Sequence, residues 1–113
     1  MLGKRLPKLN WSKLNGLIPV VTQDYKTGKV LMLGFMNKVA LKKTLKEGKI
    51  TYWSRTRKKL WTRGETSGHF QLVKGIFLDC DNDTFLIKVE QIGNACHTGQ
   101  KTCFYQKIYE KTK

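Results

Sequence analysis

The residues best suited to chemistry are three cysteines, which stand at positions 80, 96 and 103. No two of them form a C-x-x-C pair, so their spacing does not match a zinc ribbon or finger. Cys80 lies between two predicted strands, and Cys96 and Cys103 lie in a glycine-containing loop where a thiol has little core to fill. Free or buried thiols remain the alternative. Three thiolates on zinc would leave one position open for water, as in a catalytic site.

Three carboxylates surround the first of these thiols. Asp79, Asp81 and Asp83 alternate along the chain, and in an extended segment they would share one side. Carboxylates this close repel one another unless a cation compensates, and a hard divalent ion such as Mg²⁺ or Ca²⁺ suits them. A calcium EF-hand is excluded, because Thr84 stands where its loop needs glycine. A solvated acidic turn remains the alternative.

A third group of candidates is the segment TYWSRTRKKLWTRGETSG, residues 51–68. Tryptophans interleaved with arginines suit base stacking and phosphate binding, on single-stranded nucleic acid or on one nucleotide. Small hydroxyl residues beside glycines can hold a phosphate with backbone N–H groups. The net charge of +14 also favours anionic partners. The alternative is a strand pair with a cationic solvent face.

The elements that must position these residues are mostly strands. Apolar and β-branched runs predict strands at 17–25, 30–36, 71–79 and 84–92, and a tight polar connection at 80–83 joins the last two. Residues 49–56 and 58–64 are two further strands, or one strand and an irregular loop. A loop over 93–106 leads to a last short strand. Asn37 as N-cap and Gly48 at the C-terminal end predict a short helix at 38–47. We therefore predict one β-rich α+β domain, residues 1–113, with an N-terminal extension at 1–16 and frayed residues 111–113.

The sequence also bears on the cellular compartment. No apolar run approaches the length of a membrane span, and the basic N-terminus lacks the hydrophobic stretch of a secretory signal. We expect a cytoplasmic protein with reduced thiols and no membrane partner.

Taken together, the motifs resemble the phosphoribosyl-AMP cyclohydrolases, enzymes of histidine biosynthesis. The resemblance covers residues 18–105 and rests on VLMLGFMN (30–37), ALKKTL (40–45), YWSRTRKKLWTRGETSG (52–68), DCDNDT (79–84) and GNACHTGQKTCF (93–104). The family also occurs fused to a C-terminal pyrophosphohydrolase domain. This chain ends at Lys113, so it resembles the single-function form.

The resemblance implies a twisted antiparallel or mixed sheet, an intertwined homodimer and two metals, Zn²⁺ and Mg²⁺. It also implies hydrolysis of the N1–C6 bond of the adenine ring in 1-(5-phosphoribosyl)-AMP, which opens the ring to a formimino-imidazole-carboxamide ribonucleotide. The implied zinc ligands are Cys80 of one chain with Cys96 and Cys103 of the other. The implied magnesium ligands are Asp79, Asp81 and Asp83.

The acid, the base and the substrate contacts are our own inference. The chain lacks the H-x-E … P-C-x-x-C signature of zinc base deaminases, so ring opening instead of ammonia loss needs a positioned acid or base. His97, in the ACHTG motif, is the first candidate and Glu65 the second. The predicted substrate contacts are Trp53, Arg55, Arg57, Arg63, Thr66, Ser67 and Lys101. The partner is then a small phosphorylated nucleotide and not a nucleic acid; the alternative is a small basic RNA-binding protein that uses residues 51–68.

Overall fold

The computed structural model describes residues 7–111. The elements of this part of the chain are β1 (Ile18–Asp24), β2 (Val30–Met36), α1 (Lys38–Glu47), β3 (Thr51–Ser54), β4 (Lys59–Thr62), β5 (Gln71–Leu78) and β6 (Phe85–Gln91). Four strands form a sheet in the order β2-β1-β6-β5, with β1 and β6 parallel and the other neighbours antiparallel. Strands β3 and β4 form a separate antiparallel pair. The predicted β-rich α+β domain with a mixed sheet is confirmed.

The single predicted helix begins and ends where its capping residues place it. The Asn37 side chain accepts a hydrogen bond from the Ala40 N–H at 2.8 Å. Gly48 has a φ of 74°, and its N–H donates to the Thr44 carbonyl. A short polar side chain at the N-cap and a left-handed glycine at the C-terminal end satisfy backbone groups that a helix leaves unpaired. The boundaries 38–47 are therefore confirmed.

The core lies between α1, the β3–β4 pair and one face of the four-stranded sheet. Alternation along β1 and β6 puts every second side chain on this face. Its fully buried apolar side chains include Ile18, Val20, Met36, Ile50, Ile87 and Val89. Tyr52 crosses this core from β3, and its hydroxyl group bonds Thr22 on β1 at 2.7 Å and Gln71 on β5 at 2.6 Å. Burial raises the pKa of that hydroxyl, so it stays protonated and holds the two layers together.

The chain after β6 follows the free edge of β2 as a loop. The Thr102 hydroxyl donates to the Val30 carbonyl at 2.7 Å, and the Cys103 N–H donates to the Leu31 carbonyl at 2.7 Å. Within residues 7–111 no strand follows Gln91, so the predicted last short strand is wrong. Residues 103–111 are exposed, and within the described chain residues 104–111 make no backbone hydrogen bond to a strand.

Two terminal predictions fall partly outside the described residues. Of the predicted N-terminal extension only residues 7–16 are described, and of the predicted frayed C-terminus only residue 111. Among the residues from 7 to 111, no helix has the length and apolar character needed to cross a membrane.

Candidate active site

A cavity of about 350 Å³ lies where the loop after β4 meets the loop after β6. The first loop contributes residues 63–67 and 69, and the second contributes residues 94, 96, 97 and 99. Six residues that the sequence predicts for the site line this one cavity: Arg63, Glu65, Thr66, Ser67, Cys96 and His97. The fold thus joins the GETSG and ACHTG motifs, which are far apart in the sequence.

The first loop is shaped by two glycines in the left-handed region. Gly64 has a φ of 88° and Gly68 a φ of 82°, and the Gly68 N–H donates to the Gly64 carbonyl at 2.7 Å. The Glu65 carboxylate accepts from the Thr62 N–H at 3.2 Å, so one of its oxygens serves the turn. Within the described chain the Thr66 and Ser67 amides donate to no other protein group. They remain available to an anion in the cavity.

Arg63 is the cation built most deeply into this wall. Its guanidinium carbon lies 5.4 Å from the centre of the Trp61 ring, which fixes the side chain by a cation–π contact. Its Nε is buried and has no hydrogen-bond partner among the described residues. An unpaired buried donor is costly unless a ligand accepts from it. Arg63 therefore supplies a positioned donor for an anionic group.

Two of the three thiols are neighbours: Cys96 lines the cavity and Cys103 lies beside it. The Cys96 Sγ is 3.0 Å from the Thr98 hydroxyl, and hydrogen bonds from that hydroxyl and its backbone lower the pKa of Cys96. Burial raises the pKa of Cys103, and the neighbouring Cys96 raises it further. Cys80 is exposed in the turn between β5 and β6. Among the described residues the three sulfurs form no common group.

The three aspartates do converge, but on a tight turn and not on an extended segment. The Asp79 carboxylate accepts from the Asp83 N–H at 3.0 Å and from the Thr84 N–H at 3.1 Å. Asn82 takes a left-handed φ of 64° to close the turn. A carboxylate that bonds nearby amides in this way stabilises a turn. One oxygen from each of Asp79, Asp81 and Asp83 lies within 4.8 Å of the others.

Comparison with known proteins identifies the family of the chain. Residues 32–105 match the family model described as phosphoribosyl-AMP cyclohydrolase. The chain belongs to the phosphoribosyl-AMP cyclohydrolase family. A phosphoribosyl-AMP cyclohydrolase of Clostridium beijerinckii is 55% identical over 93% of this chain and 96% of its own length. One of Clostridium botulinum (strain Alaska E43) is 57% identical over 95% of this chain and 98% of its own length.

The family also includes longer proteins. The histidine biosynthesis bifunctional protein HisIE of Thermoanaerobacter pseudethanolicus is 63% identical over 82% of this chain and 43% of its own length. This chain is therefore a member of a family of hydrolases of histidine biosynthesis, and the resemblance read from the motifs is confirmed.

Lys13 contacts the aspartate turn, which sequence reasoning missed, and it lies outside the segment matching the cyclohydrolase model. Its ammonium group forms a hydrogen-bonded ion pair with Asp83 and lies 3.7 Å from Asp81. The bond to Lys13 lowers the pKa of Asp83 to about 2, whereas its neighbour Asp83 raises the pKa of Asp81. The Asn10 N–H also donates to the Asn82 carbonyl at 2.8 Å. Nothing in a lysine-rich sequence distinguished Lys13 from the other lysines.

The remaining predicted contacts lie outside the first cavity of this cyclohydrolase-family chain. Trp53 and Arg57 line a neighbouring cavity of about 530 Å³, whose wall also includes Arg63 and His97. Lys101 lines a different cavity, beside Asp24 and Gln91.

Arg55 is placed differently again. Its guanidinium carbon lies 3.9 Å from the centre of the Phe35 ring. Arg55 lines neither the 350 Å³ nor the 530 Å³ cavity.

Proposed function

We propose that this chain hydrolyses the N1–C6 bond of the adenine ring in 1-(5-phosphoribosyl)-AMP, as a zinc- and magnesium-dependent homodimer in the cytoplasm. The observation that carries the proposal is the cavity in which Arg63, Cys96 and His97 face one space. That space combines a donor for phosphate, a soft metal ligand and an imidazole. These are the groups that hydrolysis of a phosphorylated nucleotide at a metal site requires.

The cysteines fit zinc, for which thiolates are preferred ligands. The depressed pKa of Cys96 favours its thiolate form. Cys96 and Cys103 lie close enough to shift each other's pKa, whereas Cys80 lies apart from them in the single chain. This separation supports the proposal that Cys80 comes from a second copy. When bound, zinc supplies a Lewis acid that lowers the pKa of a water.

The aspartates fit magnesium, for which carboxylate oxygens are preferred ligands. One oxygen from each of the three aspartates lies within 4.8 Å of the others, so the three carboxylates could be ligands of one ion. When bound, magnesium supplies positive charge for a substrate phosphate.

The proton transfers fall to the chain's own side chains. Hydrolysis forms a bond between the water oxygen and C6 and breaks the N1–C6 bond. With N6 counted as an imine, the two water protons finish on N6 and N1, and no other reactant is needed. His97 lines the cavity beside Cys96, and we assign it the proton of the attacking water. Glu65, on the same wall, remains the second candidate.

The substrate carries two phosphates, and the donors on the cavity wall suit one of them. Arg63 offers its unpaired Nε, and Thr66 and Ser67 offer free amides. Trp53 and Arg57 line the adjoining cavity, which shares Arg63 and His97. We propose that this second space takes the other phosphoribosyl group.

Arg55 and Lys101 are proposed only as outer contacts for the approaching phosphates. Arg55 is exposed beside Phe35, and Lys101 is exposed on a separate cavity. Their charges act on the phosphates over a longer distance.

Replacing Lys13 should strengthen divalent-cation binding at the aspartate turn. Lys13→Met keeps the length of the side chain but removes the ammonium that now pairs with Asp83 and Asp81. Because the ion no longer has to displace a bound charge, we expect its dissociation constant to fall several-fold. Titration with Mn²⁺, followed by electron paramagnetic resonance, measures it. Lys8→Met is the matched control, and an unchanged or weaker affinity in Lys13→Met would contradict the expectation.

The proposed activity is tested by incubating the purified protein with the N1-phosphoribosyl nucleotide, zinc and magnesium while its ultraviolet spectrum is recorded. Opening of the purine ring changes the spectrum. The RNA-binding alternative instead predicts salt-dependent binding of single-stranded oligonucleotides without any turnover.

A further inference from the structure

The cavity has a second imidazole on its wall, that of His69. The side chain is half-buried, and the hydrogen bonds of His69 within residues 7–111 all involve its backbone. Both ring nitrogens are therefore unused by the protein. The proposed hydrolysis uses His97 or Glu65 for proton transfer, and this ring has no role in it.

Packing fixes where the His69 ring lies. Gly93 follows β6 with a φ of 71°, and a Cβ added there would lie 2.5 Å from Cδ2 and 2.7 Å from Nε2 of His69. No side chain fits at position 93 while the ring keeps its place. Glycine in such a position allows another group to approach the backbone closely.

The backbone of His69 is fixed as well. Its N–H donates to the Ser67 hydroxyl at 3.2 Å, and its carbonyl accepts from the Gln91 amide at 3.4 Å. Gln91 accepts in turn from Gln71 at 2.8 Å, and Gln71 accepts from the buried Tyr52 hydroxyl at 2.6 Å. A hydrogen-bonded chain thus runs from the core to this residue and holds it in place.

We infer that His69 is a further substrate-contacting residue, whose ring N–H donates a hydrogen bond to the phosphorylated nucleotide in the cavity. The inference rests on the proposed function, because the ligand is the proposed substrate. A ligand that fills the cavity removes water from this ring and must offer an acceptor in exchange. Phosphate oxygens and purine nitrogens are both such acceptors.

The test compares His69 variants for their dissociation constants with AMP and with ribose 5-phosphate, and for KM and kcat with the N1-phosphoribosyl nucleotide. His69→Ala should raise the dissociation constant of AMP and KM about tenfold or more, as expected for a hydrogen bond to a charged group. An equal loss with ribose 5-phosphate identifies the phosphate as acceptor; a loss with AMP alone identifies the base. His69→Asn preserves a donor near Nδ1 and His69→Gln one near Nε2, so the less affected variant identifies the donating nitrogen.

Two matched controls separate contact from folding. Phe70→Leu changes a half-buried neighbour that does not line the cavity, so it should change Tm and leave AMP affinity unchanged. Gly93→Ala and Gly48→Ala both place a Cβ on a left-handed backbone, but only position 93 meets the His69 ring. Only Gly93→Ala should therefore weaken AMP binding.

Wild-type affinity and KM in the Ala, Asn and Gln variants, with wild-type turnover present, would overturn the inference and leave the proposed function standing. A lower Tm without a change in affinity would make His69 structural and would also overturn it. If the Ala variant does not fold, the Asn and Gln variants decide. A wild-type protein that binds AMP through His69 but opens no purine ring would contradict the proposed function alone.

Discussion

We expect that two inactive variants, Cys80→Ser and Cys103→Ser, will regain activity when their chains are combined in one dimer. In the single chain Cys96 and Cys103 are neighbours, while Cys80 stays apart on the β5–β6 turn. If the zinc site takes Cys80 from one copy, each mixed dimer has one complete site and one that lacks two ligands. Random exchange makes half of the dimers mixed, so activity returns to about a quarter of wild type.

The activity of each variant alone should be more than about 100-fold below that of wild type. Even mutation of residues that only support metal ligands lowers metal affinity or activity about 10- to 100-fold. Co-expression with two different affinity tags isolates the mixed dimers, which should then have about half of the wild-type activity. The matched control combines Cys96→Ser with Cys103→Ser, which leaves both sites incomplete and should restore nothing. Equal activity in the two mixtures, or none in the first mixture, would show that the site is not shared in this way.

The second large effect is expected at His97. His97→Ala should lower kcat by about 10²- to 10⁴-fold, the usual contribution of a positioned acid or base, with a much smaller change in KM. A base must be deprotonated to act, so the wild-type kcat should fall at acidic pH. The variant should lose that dependence.

A pH–rate profile of kcat measures this, and Glu65→Gln is the comparison. Glu65 lies on the same cavity wall but already accepts a bond from the Thr62 N–H. If the fall in kcat at acidic pH disappears in Glu65→Gln and persists in His97→Ala, Glu65 is the base and His97 is not. A wild-type rate and profile in His97→Ala would remove His97 from the mechanism.

Local signals predicted the elements well, because their causes lie within a few residues. Asn37 and Gly48 determine the two ends of α1, and apolar, β-branched runs predicted β1 and β6. The parallel pairing of β1 with β6 was not predicted, since it depends on contacts between distant segments. The wrong last strand shares this cause, because pairing of this segment along the free edge of β2 depends on contacts between distant parts of the chain.

The candidate site divides in the same way. Three sequence motifs, at 52–68, 79–84 and 93–104, identified the thiols, the aspartates and the cavity residues, because each motif keeps its candidate residues together. Lys13 and His69 escaped notice because only the fold brings Lys13 to the aspartate turn and sets the His69 ring against Gly93. Arg55 shows the opposite case. Its motif predicted a substrate contact, but its side chain lies over Phe35 and lines neither the 350 Å³ nor the 530 Å³ cavity.

The most direct test of the account is turnover of 1-(5-phosphoribosyl)-AMP by the purified protein before and after metal removal. Chelation should abolish ring opening, zinc together with magnesium should restore it, and either ion alone should not. The Asp81→Asn variant should then need far more magnesium than wild type but no more zinc. Ring opening that persists in fully metal-free protein, or none in the fully loaded protein, would contradict the account.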